Sequence, residues 1–328
     1  MPEFLPIPVI CSSFLNKTEL MQLTILGNGS GGPFQGRHYT AQILQVDNHI
    51  YLIDCGEGTQ MQMHRFQVRY DRLEQIFISH LHGDHVFGLV GLLTSWCLKR
   101  RTLPLDIYAP PGMEELITTN LRLCGVRVPV TYPLRFHVVD AAVFAKVFET
   151  PTLEVYSVPL EHRGVECCGW LFREKPRLRN IRPEKITEYD IPYTLLPGIK
   201  AGQDLVLPGG QIVPNEDLTL PPRAPLSYAF CSDTSPSERV AEWVQGVDLL
   251  YHEATFLSEH TTEAELSGHS TAAQAAQIAR QAGVGKLLLG HFSGRYNDTD
   301  GHLAEARAVF DRTEAAEEGK TYEVEHRD

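Results

Sequence analysis

Hydrophobic positions along the chain fall into short β-type runs and longer helical stretches that alternate in both halves. Leu23 to Leu26, Thr40 to Val46 and Ile50 to Ile53 read as three strands, the first two separated by the turn-rich string Gly27-Asn28-Gly29-Ser30-Gly31-Gly32-Pro33. A helix fits Gly58 to Phe66, Ile76-Phe77-Ile78 reads as a buried strand, and a helix from about Val86 to Lys99 follows a histidine cluster. Strands at Leu105 to Ala109, Leu153 to Pro159 and Gly169 to Arg173 alternate with helices such as Gly112 to Leu123. From Ser227 the order is strand, helix (Pro236 to Gln245), strand (Leu249 to His252), helix (Thr271 to Ala282), strand (Lys286 to Gly290) and helix (His302 to Asp311). Recurrence of both element types in both halves predicts an α/β layered architecture with two sheets.

Two segments break the pattern. Residues 1–20 have no clear periodicity and precede Met21, so they read as an N-terminal extension to a domain over 21–328. Between Glu174 and Arg223 the chain is rich in Pro and Gly and poor in periodicity, which predicts an inserted arm or long loop at about 174–223. The stretch from Gly301, with eight acids and four bases, reads as an exposed helix and tail.

Composition narrows the classes. With 43% hydrophobic and 21% charged residues the chain reads as soluble and globular, and no apolar run approaches the ~18 residues of a membrane span. Met1-Pro2-Glu3-Phe4-Leu5-Pro6 lacks a cationic start and its apolar stretch is broken by prolines, so a cytoplasmic protein is expected. The seven cysteines (11, 55, 97, 124, 167, 168, 231) are scattered and form no CxxC, which predicts reduced, mostly buried thiols and leaves any metal to His and carboxylate. A net charge of −12 argues against a general polyanion binder, although six basic residues between Arg173 and Lys185 form a local patch. Gly27, Gly29 and Gly32 match a dinucleotide fingerprint, with Asp54 near the expected ribose carboxylate. Pro33, Gly36 and a β-prone run then follow where that fingerprint needs a helix, so a glycine turn between strands is expected instead.

The chemistry lies in Ile78-Ser79-His80-Leu81-His82-Gly83-Asp84-His85. Three imidazoles and a carboxylate within six residues, on a glycine-containing turn between strand and helix, converge on a small volume and suit Zn²⁺. His162, Asp233 and His291 each follow an apolar β run. Singly each is an ordinary polar residue at a strand end; jointly they complete two coordination spheres.

These residues match in full the HxHxDH signature of the metallo-β-lactamase superfamily, and further strings make the chain resemble the ribonuclease Z family within it. They include Asp54-Cys55-Gly56-Glu57-Gly58-Thr59-Gln60, Pro159-Leu160-Glu161-His162-Arg163, His252-Glu253-Ala254-Thr255-Phe256, Gly268-His269-Ser270-Thr271-Ala272 and Gly290-His291-Phe292-Ser293-Gly294-Arg295-Tyr296. The resemblance implies an αββα sandwich and removal of 3′ trailers from precursor tRNA. It implies two Zn²⁺ per chain, with Mn²⁺ or another divalent metal as substitutes: His80, His82 and His162 on one, Asp84, His85 and His291 on the other, and Asp233 bridging. Asp84 would also orient the attacking hydroxide, and His269 paired with Glu253 would be the general acid. A homodimer is implied too, in which one subunit's arm holds tRNA for the other.

The family's arm usually carries a Gly-Pro motif, whereas this region reads Ile191-Pro192-Tyr193-Thr194-Leu195-Leu196-Pro197-Gly198. Arg173, Lys175, Arg177, Arg179 and Arg295 are therefore the candidate substrate contacts. The rival readings are another hydrolase on the same fold, such as a small-molecule phosphodiesterase, arylsulfatase or thioesterase, and a binding protein that has lost catalysis.

Overall fold

A computed structural model describes residues 21–32, 34 and 36–327; the extension expected at 1–20 lies outside the described residues. In the first half, β1 (Met21–Gly27), β2 (Ala41–Val46), β3 (His49–Ile53), β4 (Gln75–Phe77), β5 (Leu105–Ala109) and β6 (Leu134–Val138) lie side by side in sequence order. Pairing is antiparallel from β1 to β3 and parallel from β3 to β6. Helices α1 (Thr59–Arg65), α2 (Gly83–Val86), α3 (Gly88–Leu98) and α4 (Met113–Leu123) accompany this sheet. The single helix expected over 86–99 is thus two, broken at Phe87. Tight packing sets the break: α3 starts against the turn after β3, where a Cβ at Gly88 would lie 2.2 Å from the Gly56 carbonyl oxygen.

The second sheet begins with β7 (Ala145–Glu149), β8 (Leu153–Pro159) and β9 (Cys168–Glu174), and then the chain leaves it. Residues between β9 and the next sheet strand form β10 (Asn180–Ile181), α5 (Pro183–Glu188), α6 (Leu196–Lys200), β11 (Leu205–Val206), β12 (Ile212–Val213), α7 (Asn215–Leu218) and β13 (Thr219–Leu220). This segment packs its own small core of Ile191, Ile199, Leu205, Val213 and Leu218, so it is structured rather than a plain loop. The sheet resumes with β14 (Ser227–Cys231), followed by α8 (Glu238–Trp243), β15 (Leu249–Glu253), α9 (Thr261–Ser267), α10 (Ala272–Ala282), β16 (Lys286–Gly290), α11 (Asp300–Arg307) and β17 (Thr313–Ala315). Its order is β17-β16-β15-β14-β9-β8-β7, and β14 to β17 are parallel.

A last strand, β18 (Thr321–Glu323), returns to the first sheet and pairs with β1. The segment read from sequence as an exposed helix and tail therefore closes both sheets, with Ala315, Ala316, Tyr322 and Val324 buried. Its helix also begins two residues earlier than expected, at Asp300.

Two mixed sheets face each other across a core that includes Tyr51, Phe77, Trp170, Phe172, Tyr228, Phe230 and Tyr251. Helices cover the outer faces: Leu89, Leu92 and Trp96 of α3 pack on the first sheet, and the alanine face of α10 on the second. Small side chains bring the α10 backbone close to the strands, and Thr271 caps that helix in a reciprocal capping box with Gln274. The result is an αββα sandwich in which the C-terminal ends of β4, β8, β14, β15 and β16 open on one edge.

Candidate metal centre

That edge holds the histidine cluster. His80 and His82 follow β4, Asp84 and His85 lie in the one-turn helix α2, His162 follows β8, Asp233 follows β14, Glu253 ends β15 and His291 follows β16. His291 sits at φ 57°, a left-handed conformation uncommon for a side chain of its size, which turns its ring inward from the strand end.

Donor atoms gather in two neighbouring groups, His80, His82, His162 and Asp233 in one and Asp84, His85 and His291 in the other. Asp233 faces both. Its Oδ2 lies 3.7 Å from the Nε2 atoms of His80 and His162, and its Oδ1 lies 3.4 Å from His85 Nε2 and 3.2 Å from His291 Nε2. Asp84 Oδ2 is 3.7 Å from His85 Nε2 and 3.6 Å from His291 Nε2. A tetrahedral centre with bonds of about 2.0–2.1 Å has donor-to-donor edges of roughly 3.3–3.4 Å, so this spacing fits a cation in each group. The buried Nε2 atoms of His80, His85 and His291 have no hydrogen-bond partner among the described residues, as expected of nitrogens reserved for a metal.

The opposite ring nitrogens are fixed. His85 Nδ1 donates to Asp54 Oδ2 at 2.7 Å, His162 Nδ1 to the Gly268 carbonyl at 2.9 Å, and His291 Nδ1 to Thr255 Oγ1 at 2.9 Å. Asp54 also accepts from the Ser79 amide and hydroxyl, each at 2.8 Å, so one buried carboxylate locks the start of the histidine turn. Gly31 N–H donates to Asp84 Oδ2 at 2.8 Å, bringing the glycine turn onto a candidate ligand.

Electrostatics prepare the donors of the first group. Burial, together with His85, His82 and His162, holds the His80 imidazole well below its usual range, and burial likewise lowers His162, which keeps both rings neutral and able to ligate. Burial alone would raise the Asp233 carboxyl, but His291, His85 and His80 outweigh it and keep the group ionised.

Beside the donors, Glu253 is completely buried yet accepts five hydrogen bonds. Its Oε1 receives Thr234 N–H, Ser270 N–H and His269 Nδ1–H, and its Oε2 receives the Thr255 amide and hydroxyl, all at 2.8–3.1 Å. Burial pulls the His269 pKa down, but the adjacent Glu253 overrides it and pushes it up to about 9. A ring nitrogen of His269 also lies within ligand distance of Asp233 and His291, so metal content, rather than proximity, separates a ligand from an acid there.

The centre opens into a cleft of about 830 Å³. Arg295 lines it, with its guanidinium 5.0 Å over the Phe256 ring, and Arg163 lines it too. Arg173, Lys175, Arg177 and Arg179 are not among its lining residues. They sit at the root of the arm, where Lys175 pairs with Glu149 at 2.9 Å, Arg177 bridges Asp47 and Glu174, Arg179 donates to Thr219 Oγ1 and Arg173 lies over Tyr156. Sequence reasoning assigned no role at the centre to Asp54, Thr255 or Arg163. For Asp54 a signal existed: a carboxylate directly after an apolar strand, one residue nearer its strand than Asp233 is to β14.

Relatives with known structures share the frame. Human tRNase Z, short form (ELAC1), aligns with TM-score 0.66 at 24% identity, covering 93% of this chain and 100% of that one. YhfI from Bacillus subtilis, a metallo-β-lactamase fold protein, aligns at 0.63 with 18% identity, covering 93% and 99%. The family described as anti-Pycsar protein Apyc1 matches residues 21–127. Two mixed sheets between helices, with donors at their shared edge, make this a protein of the metallo-β-lactamase fold.

Curated relatives narrow the class. Ribonuclease Z of Porphyromonas gingivalis strain W83 is 45% identical over 294 residues, covering 90% of this chain and 96% of the relative. Ribonuclease Z of Bacteroides fragilis strain YCH46 is 44% identical over 301 residues, covering 92% and 98%. The chain belongs to the ribonuclease Z family.

Proposed function

We propose that the chain is a metal-dependent endoribonuclease that removes 3′ trailers from precursor tRNA and leaves a 3′-hydroxyl on the tRNA. The observation that carries this is Asp233, whose two carboxylate oxygens each face a separate group of imidazoles. His80, His82 and His162 would hold one cation and Asp84, His85 and His291 the other, with Asp233 shared. Imidazole with carboxylate favours Zn²⁺, two per chain, and Mn²⁺ is a workable substitute. When bound, two such cations would supply a nucleophile at neutral pH and neutralise charge on the phosphodiester.

The protein's own groups do the rest. Asp84 is fixed by the Gly31 amide and accepts a hydrogen bond from the attacking oxygen. His269 holds its Nδ1 proton against Glu253 and offers the other ring nitrogen to the cleft, where it protonates the departing ribose 3′-oxygen. Arg295 and Arg163 bind phosphates along the cleft, while Arg173, Lys175, Arg177 and Arg179 position the tRNA body from the root of the arm.

A cytoplasmic homodimer belongs to the same reading. Exposed Met61 on α1, Phe87 before α3 and Leu98 on α3 supply an apolar surface on adjoining elements, which we assign to the partner subunit. Sedimentation of a Met61→Glu, Leu98→Glu variant tests it: a monomer is expected, and an unchanged mass would reject this surface.

Cleavage of a precursor tRNA carrying a 3′ trailer, with the cut and its end groups mapped, tests the activity. Cutting after the discriminator region with a 3′-hydroxyl is expected. Hydrolysis confined to small phosphodiesters, sulfate esters or thioesters would instead favour another hydrolase on this fold.

A further inference from the structure

Phe34 is a large apolar side chain, 38% exposed, standing where the metal cleft meets a second cavity of about 380 Å³, and it lines both. Its position is built. The Phe34 carbonyl accepts from the Arg37 amide at 3.0 Å across a tight turn in which Gly36 adopts φ 79°, and Arg37 is tied to the Tyr296 carbonyl at 3.2 Å. A Cβ at Gly294 would fall 2.9 Å from the Phe34 Cβ, so this glycine makes room for the ring against the loop carrying Arg295.

Beyond the ring, the second cavity is walled by Tyr39, His38 and the exposed carboxylate of Glu57. Its cationic groups are engaged elsewhere. The Arg37 guanidinium lies 5.4 Å over the Phe292 ring, and His38 Nδ1 pairs with Glu318 at 2.8 Å. A phosphate entering here would meet the exposed Glu57 carboxylate, which has no ion pair among the described residues, and an arginine already held by a ring and a carbonyl. A nucleobase would meet an aromatic face and an acceptor for an amino group, the two features by which unpaired bases are held.

We propose that Phe34 and Glu57 form a nucleobase subsite beside the metal centre. One nucleotide flanking the scissile phosphate unstacks, lays its base on the Phe34 ring and presents an exocyclic amino group to the Glu57 carboxylate. Adenine, cytosine or guanine is then favoured over uracil at that position. The inference rests on the RNA-cleaving reading above and adds the side-chain basis of a local base preference.

Precursor tRNAs carrying each base, or an abasic site, at the nucleotide on either side of the cut test this with wild-type, Phe34→Ala, Phe34→Leu, Phe34→Trp and Glu57→Gln proteins. Metal content is measured in parallel. Phe34→Ala and Phe34→Leu should lower kcat/KM about 5- to 150-fold on intact RNA, the equivalent of one stacked base, and cause no further loss when that base is already absent. Phe34→Trp should restore cleavage, and Glu57→Gln should narrow the discrimination against uracil at the same position. A Phe34→Leu penalty that persists undiminished on both abasic substrates, or discrimination unchanged by Glu57→Gln, would overturn the subsite while leaving the nuclease reading intact. Wild-type protein that holds its metals yet cuts no precursor tRNA would overturn both.

Discussion

Replacing Glu253 by Gln keeps the side chain's size and removes its charge. Three donors converge on Oε1 and two on Oε2, so the amide oxygen belongs on the Oε1 side and the new NH₂ group meets the Thr255 amide. Leaving that buried N–H unpaired costs about 1–3 kcal/mol. The larger signature is in pH. The rise of the His269 pKa from 6.5 to about 9 is worth about 3 kcal/mol. Because the folded value is the raised one, this stability is fully present below pH 6.5 and is lost as pH climbs through about 9. Without the carboxylate, burial is left to push His269 the other way. Urea unfolding of metal-stripped wild type and Glu253→Gln between pH 6 and 9.5 measures the difference. It should be greatest at pH 6, the low end of the range, and shrink by at least about 3 kcal/mol by pH 9.5. A difference that does not change with pH would show that Glu253 does not charge His269, and the general-acid pairing would fall with it.

Three further outcomes follow from the site. Asp233→Ala should lower bound metal below two ions per chain by elemental analysis, because both donor groups lose an oxygen; unchanged stoichiometry would remove Asp233 from the centre. His269→Ala should keep its metal yet cut precursor tRNA roughly 10²–10⁴-fold more slowly, with the penalty shrinking on an ester that releases an activated phenol. Asp84→Ala should stay severely impaired on both substrates, and an undiminished His269→Ala penalty on the activated ester would favour substrate positioning over proton donation. Deleting residues 180–220, which carry their own small core, should raise KM for tRNA and spare small-substrate turnover; equal losses on both would make that segment part of the catalytic body.

The candidate donors were legible because each sits where a short apolar run stops: His80 after β4, Asp233 after β14, His291 after β16. A strand end converts sequence position into spatial position, and parallel neighbours bring such ends together. Less legible were elements whose stability comes from partners far away. Thr313–Ala315 and Thr321–Glu323 are three-residue strands among charged residues, too short for any period, and they exist because β16 and β1 offer free edges. In the arm, Ile191, Ile199, Leu205, Val213 and Leu218 meet at irregular spacings through turns, so no helical or strand period announces their core. The basic residues at its root raise a different point. Charge counts along a chain do not show that Glu174, buried at the end of β9, already binds Arg177 and Arg223.

The pairing of β1 with β18 also sets a clock on biosynthesis. The hydroxyls of Thr24 and Thr321 meet at 2.9 Å across a separation of 297 residues. At ~5–20 residues per second, a ribosome needs about 15–60 s to deliver the second strand after the first. Throughout that interval the outer edge of β1, with its alternating apolar residues, is a free template for other nascent chains. His291 emerges only near the end of the same interval, so the candidate donor set is assembled late in synthesis. Holding the newborn N-terminal half apart from its neighbours thus becomes a task for the cell's folding machinery, and yield on overexpression should respond to it before activity does.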